Sequence, residues 1–180
     1  TILDINTMQI LSSSRLQLKN IDEFFEKVPA FIDEIMKNMR PGVYRVSSAE
    51  EFKDAVSAIN ADNSGIGTIT IIGNFAITGV SVGDKAGIAI TLQGDETRRT
   101  ISSSGASPMF SVSSGVTLRI GNNLTLHGRN NKATAVEISS NGTLELYAGS
   151  IITAFSYSGV RNEGGTLNIY GGTIENNFQS

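Results

Sequence analysis

The chain of 180 residues contains no cysteine and no tryptophan, and only one histidine, His127. Without cysteine it has no disulfide framework and no thiolate metal site. One histidine excludes every site that needs two, and cysteine–histidine nucleophilic pairs are excluded with it. No apolar run approaches the ~20 residues of a membrane-spanning helix. Proline occurs three times, and aromatic residues make up 7% of the chain. Excess positive charge is also missing. The net charge is -3. Residues 1–62 hold 7 Lys/Arg and 10 Asp/Glu, whereas residues 63–180 hold 7 of each. Neither part offers the basic face that nucleic acid demands. No phosphate-binding glycine motif and no dinucleotide fingerprint occurs. The sequence therefore points to no cofactor.

Glycine divides the chain. Of 19 glycines, only Gly42 precedes residue 63. Three segments follow: 1–42, 43–62 and 63–180. In the first, Ile21, Phe25, Val28, Ile32, Ile35 and Met39 make a heptad-like apolar stripe. Asn20 is a candidate N-cap, Pro29 a kink, and Pro41-Gly42 a stop. The stripe fits a helix docked on its own domain, or self-association through residues 20–40. In the second segment a short strand, Val43 to Val46, precedes Ser47-Ser48 and Glu50-Glu51, the pattern of a capping box. Phe52, Ala55, Val56 and Ile59 then supply one apolar face, which predicts a helix from Ala49 to Asn60.

The third segment repeats. Ile69-Thr70-Ile71, Ile90-Thr91-Leu92, Leu118-Arg119-Ile120, Leu144-Glu145-Leu146 and Leu167-Asn168-Ile169 are each apolar–polar–apolar, at steps of 21, 28, 26 and 23 residues. A second ladder holds Val80-Ser81-Val82, Phe110-Ser111-Val112, Val136-Glu137-Ile138 and Val160-Arg161-Asn162. A looser third holds Ile77, Ile101, Leu124/Leu126, Ile151/Ile152 and Ile174. Three short strands per repeat, with Gly or Asn turns, predict a mainly β fold: a single-stranded parallel β-helix, or solenoid. One coil cannot bury its own apolar face; stacked coils can. The helix at 49–60 would close the first coil with Phe52, Val56 and Ile59. No equivalent cap follows Ile174, and the expectation is a solenoid cut short at its C-terminus. The register also pairs Arg119 with Glu145 and Glu137 with Arg161 as outward cross-strand neighbours. Asn162 stands at an inward position, which predicts either a tie to turn backbone or an opening of the last coil.

The run Gly164-Gly165-Thr166-Leu167-Asn168-Ile169-Tyr170-Gly171-Gly172-Thr173-Ile174-Glu175-Asn176-Asn177 resembles the glycine–threonine repeats of bacterial surface proteins. Ser114-Gly115-Val116-Thr117-Leu118 and Asn141-Gly142-Thr143-Leu144 resemble degenerate copies. The resemblance covers roughly residues 43–180. It implies the right-handed parallel β-helix class, whose architecture is shared with pectate lyases, and an extracellular or cell-surface setting.

The polar residues offer little chemistry. Lyases of that class need clustered carboxylates for Ca²⁺ and a base; hydrolases need two or three carboxylates within ~5–10 Å. Residues 63–180 hold Asp84, Asp95, Glu96, Glu137, Glu145, Glu163 and Glu175, with no Asp-x-Asp pair. Asp95-Glu96 followed by Arg98-Arg99 fits a charged turn. No catalytic residue and no metal ligand is assigned. His127, Arg129, Asn130 and Asn131 form the best polar cluster, a candidate ligand-contacting loop beside Lys132. Tyr147, Phe155, Tyr157 and Tyr170 fit either a sugar-stacking strip or the corners of the coil. The leading expectation is a non-catalytic scaffold or adhesive module, with carbohydrate or a host or cell-surface protein as partner. Two alternatives stand beside it: a fragment of a polysaccharide lyase or glycoside hydrolase, and a trimeric tailspike-like fibre joined through residues 1–42.

Overall fold

The computed structural model describes residues 42–178. The chain divides into two units, Thr1–Pro41 and Gly42–Ser180. The expected N-terminal helix and its apolar stripe at 20–40 lie outside the described residues.

The described part opens with β1 (Val43–Val46) and α1 (Ala49–Ala61). Fourteen further strands follow in threes. They are β2 (Ile66–Ile71), β3 (Phe75–Ile77) and β4 (Val80–Ser81); β5 (Ala89–Gly94), β6 (Arg99–Ser103) and β7 (Phe110–Val112); β8 (Thr117–Ile120), β9 (Leu124–His127) and β10 (Thr134–Ile138); β11 (Thr143–Tyr147), β12 (Ser150–Thr153) and β13 (Ser158–Asn162); and lastly β14 (Thr166–Tyr170) and β15 (Thr173–Glu175). They stack into three parallel sheets. Sheet A runs β1-β2-β5-β8-β11-β14, sheet B β15-β12-β9-β6-β3, and sheet C β13-β10-β7-β4. Each strand pairs with its counterpart one coil away, so the protein is a parallel β-solenoid of about five turns.

Alternation explains the core. Along β8 and β11 every second residue is fully buried: Leu118 and Ile120, then Leu144 and Leu146. Parallel register sets Leu118 on Leu144 on Leu167, and Ile120 on Leu146 on Ile169. Phe110, Val136 and Val160 form the matching column of sheet C. Each fully buried aliphatic side chain stabilises by roughly 1.5–3 kcal/mol. Repetition of that contribution offsets the entropy of ordering so many short strands.

The turn between sheets C and A also repeats. Gly87, Gly115, Asn141 and Gly164 stack in one column with φ of 91°, 71°, 60° and 91°. The amide of each donates to the carbonyl of the next. Only glycine, or asparagine at some cost, adopts that left-handed conformation readily. At Gly115 a Cβ would also stand 2.7 Å from the Ala86 Cβ.

The register corrects two of the expected ladders. Ile69 pairs with Leu92 and Gly67 with Ile90. The first step is therefore 23 residues, two more than the sequence pattern suggested. A shift of two keeps every side chain on its own face, which is why the pattern misled. The true register sets glycine in the apolar columns, Gly67 beside Ile90 and Gly94 beside Ile71. Tertiary neighbours fill both vacancies: a Cβ on Gly67 would overlap the Ile59 side chain, and one on Gly94 would overlap the Asn123 carbonyl. In sheet B, Ile101 stacks between Phe75 and Leu126, while Ile77 pairs with the buried Ser103. Ser103 turns its hydroxyl to the Gly105 carbonyl at 3.0 Å, which satisfies it inside the core.

The helix α1 closes the first coil. Ser48 caps it by accepting the Glu51 amide at 3.2 Å, and Glu51 reaches back to the Ser47 amide at 2.7 Å. Phe52, Ala55, Val56 and Ile59 are buried. The Phe52 ring lies 5.9 Å from that of Phe75 and 6.0 Å from that of Phe110. At the other end the inward residues of the last coil are open, Ile169 at 53% and Ile174 at 37% exposure.

Candidate functional site

The outward face of sheet A carries two polar columns. In one, Thr68, Thr91, Arg119, Glu145 and Asn168 follow each other coil by coil. The Arg119 Nε donates to the Glu145 Oε2 at 2.8 Å, the expected cross-strand pair. The other column begins Arg45, Thr70, Gln93. It passes Gly121, which follows the last residue of β8, and ends at Tyr147 and Tyr170. The first half of this column floors a groove of about 760 Å³.

One wall of the groove is the β5–β6 turn, with Asp95, Glu96 and Thr97; Asn122 and Asn123 of the following coil form the rest. The turn is fixed from within. Arg99 forks the Asp95 carboxylate, Nε to Oδ1 at 2.9 Å and Nη2 to Oδ2 at 2.7 Å. The Thr97 amide donates to the same Oδ1 at 3.0 Å, and the Asn123 side-chain amide donates to the Asp95 carbonyl at 2.9 Å. The Arg99 hydrogen bonds hold the Asp95 carboxyl down at about 2, and the charge of Arg45 adds to the effect. Arg98 extends further along the axis, donating to the Gly149 carbonyl at 3.0 Å.

Beyond the groove stand the two tyrosines. Their ring centroids are 5.2 Å apart with planes inclined at 34°. Tyr147 donates its hydroxyl to the Glu145 Oε2 at 3.0 Å, which raises its own pKa above the usual phenol value. Phe155 is fully buried, and Tyr157 is 49% exposed. Of the four aromatic residues, one is buried in the coil and two make a tilted outward pair.

The loop singled out in the sequence lies at a different corner, between sheets B and C. Arg129 and Asn130 are exposed, with left-handed φ of 55° and 56°. His127 ends β9 and accepts the Arg129 amide on Nδ1 at 3.0 Å. Asn131 turns inward: its side-chain amide donates to the Ser103 carbonyl of the previous coil at 3.1 Å. These four residues do not meet the groove at the sheet A–sheet B corner. Sequence reading missed the groove because its floor is assembled by register. The 21-residue step aligns Thr70 with Thr91, whereas the true partner is Gln93.

Two further carboxylates share one cation. Arg161 bridges Glu137 at 3.5 Å and also pairs with Glu163. Glu137 is on sheet C and Glu145 on sheet A, so these carboxylates do not act together. Asn162 exchanges two hydrogen bonds with Gly165, at 2.8 and 3.1 Å, the backbone tie that its inward position predicted. Among the described residues no three His, Asp or Glu side chains converge as a metal site, and no helix is long and apolar enough to cross a membrane. No family model matches the chain, and neither a curated protein nor a solved structure matches it.

Proposed function

We propose that the chain is a non-catalytic β-helical module of a secreted or cell-surface bacterial protein, of the right-handed class shared with pectate lyases. It serves as a scaffold or adhesive surface, and the outward face of sheet A is its binding face. One observation carries this reading. Two of the carboxylates flanking that face are tied to cations, Asp95 to Arg99 and Glu145 to Arg119. An Asp95 held at about 2 stays ionised at neutral pH and is a poor proton shuttle. Such carboxylates brace a surface. The glycine–threonine repeats support the extracellular setting.

The test is an activity panel of acidic and neutral polysaccharides, read by reducing ends and by absorbance of unsaturated products. No turnover is expected. Turnover that disappears on one carboxylate substitution would replace this reading with that of a polysaccharide lyase or hydrolase. The setting is tested by fractionating the native host, where the protein should be found on the cell surface or in the medium.

A further inference from the structure

We infer that the open last coil is a self-association surface: two copies of the chain meet end to end about a two-fold axis through Asn168, joining β14 to β14 and the sheet B edge of each copy to the sheet C edge of the other. The inference stands apart from the reading of sheet A as a binding face.

The two ends of the solenoid differ. At the first coil α1 covers the core, with Phe52, Ala55, Val56 and Ile59 buried. At the last described coil the apolar columns open out. Ile120 and Leu146 are fully buried, and Ile169 on the next coil is 53% exposed. Leu126 and Ile152 are fully buried, and Ile174 is 37% exposed. Of residues 158–178 only Gly159 is buried. Standard interfaces take about 20–30 residues from each partner, and this coil presents 21.

The backbone edges decide what fits there. Sheets A, B and C end at β14, β15 and β13. The Thr166 amide donates to the Gly142 carbonyl. By alternation the amides and carbonyls of Thr166, Asn168 and Tyr170 face β11, and those of Leu167 and Ile169 face the open edge. Such an edge is a template for another strand, and native edges are guarded by charge or proline. Residues 164–174 contain neither. No like charges oppose two copies of this stretch.

A fitting partner offers three strand edges on the same three-sided outline. The first coil of a second copy does not, because α1 covers it; the last coil does. Two last coils meet antiparallel. With Asn168 on the axis, Leu167 lies opposite Ile169 of the second copy, so the free edge groups exchange hydrogen bonds. Both residues point inward, and the apolar columns run on across the joint. Thr166 and Tyr170 pair on the outside. The rise also closes. For three evenly spaced sheets, a rise of about 4.8 Å per coil sets β15 about 1.6 Å above β14 and β13 about 1.6 Å below it. The axis sets the second copy's β14 about 4.8 Å above β14, and its β15 over sheet C at about 3.2 Å, which is about 4.8 Å above β13. All three edges are met at strand spacing together. The contact is isologous, so it closes at two copies and builds no fibre.

The experiment uses the full chain, which has no cysteine. Sedimentation equilibrium across the micromolar range should show a reversible dimer of twice 19.1 kDa. Ile169→Lys should weaken association at least about tenfold, since it buries a lone ammonium in the joint. Ile169 is half exposed in a single copy, so the variant should fold. Asn168→Asp sets two carboxylates face to face and should also weaken association, with recovery in salt. Single cysteines read the register under air oxidation. Asn168→Cys brings two thiols together on the axis, with Cα atoms about 4.5 Å apart, and should yield a disulfide dimer. Thr166→Cys places its Cα atoms about 14 Å apart, beyond disulfide reach, and should not. A chain that stays monomeric overturns the inference, as does equal cross-linking of the two cysteine variants. Association unchanged in Ile169→Lys but lost in Ile32→Asp overturns it too, and assigns the contact to the apolar stripe at 20–40. None of these outcomes bears on the polysaccharide panel, so this inference and the scaffold reading fail separately.

Discussion

Ile59 of the capping helix supplies the side chain that Gly67 lacks: its Cδ1 and Cγ1 occupy the space that a Cβ on Gly67 would fill. Gly67 stands in the apolar column continued by Ile90, Leu118, Leu144 and Leu167. The helix therefore completes the column as well as covering the first coil. Ile59→Ala should cost about 2–5 kcal/mol, the range for truncating a buried aliphatic residue. Gly67→Ala should destabilise on its own through overlap with Ile59. In the double variant the new methyl enters the space vacated, so the combined loss should fall short of the sum. Urea denaturation of the four proteins gives the coupling. Strict additivity would mean that the two residues do not share that space.

The solenoid itself was legible because its cause is local and repeated. Alternation with glycine-marked turns leaves few folds open, and the charge ladders Arg119–Glu145 and Glu137–Arg161 followed from the same register. What stayed hidden has one physical source. Where a coil substitutes glycine in an apolar column, as at Gly67 and Gly94, the filling atoms come from outside the strand pattern, from Ile59 of the helix and Asn123 of a turn. Pattern alone then prefers the alignment that pairs Ile with Ile. That slip of two residues concealed the Arg45-Thr70-Gln93 column, and with it the groove. The turn at Asp95 was legible as a charged turn, but its place as a wall of the groove depends on the same register.

The turn bordering the groove should respond to acid in a defined window. Asp95 is held well below its unfolded value, first by hydrogen bonds from Arg99. A depressed carboxyl contributes stability above its unfolded pKa, near 3.8, and loses that contribution as pH falls through its folded value of about 2. Carboxyl carbon NMR should show Asp95 titrating near 2, well below the ordinary aspartate value of about 3.9. In Arg99→Ala the midpoint should move up toward 3.8. A midpoint that stays put would mean that Arg99 is not the cause.

At the B–C corner the candidate loop should separate into two kinds of residue. Asn131 bonds the Ser103 carbonyl across coils, so Asn131→Ala leaves a half-buried acceptor unpaired and should cost about 1–3 kcal/mol. Arg129 is exposed with no described side-chain partner, and Arg129→Ala should shift stability by less than about 0.5 kcal/mol. Asn130→Gly keeps the left-handed backbone and should be equally mild. Thermal melts decide this. A large loss for Arg129→Ala would show that the guanidinium braces the fold and is not free for a ligand.

The sharpest contrast lies between adjacent residues. Leu144 is fully buried between Leu118 and Leu167, and Glu145 points outward to Arg119. Leu144→Asp places an unpaired carboxylate in the column, where neither water nor a cation can reach it. Unpaired charges in such surroundings cost more than the whole stability of most domains, so the variant should not fold. Glu145→Gln keeps the shape and gives up one half-exposed ion pair, worth less than about 1 kcal/mol. Circular dichroism and melting should show a β-rich, cooperative Glu145→Gln protein and no transition for Leu144→Asp. Indistinguishable melts would mean that the alternation runs the other way, and that the apolar columns are not where the register sets them.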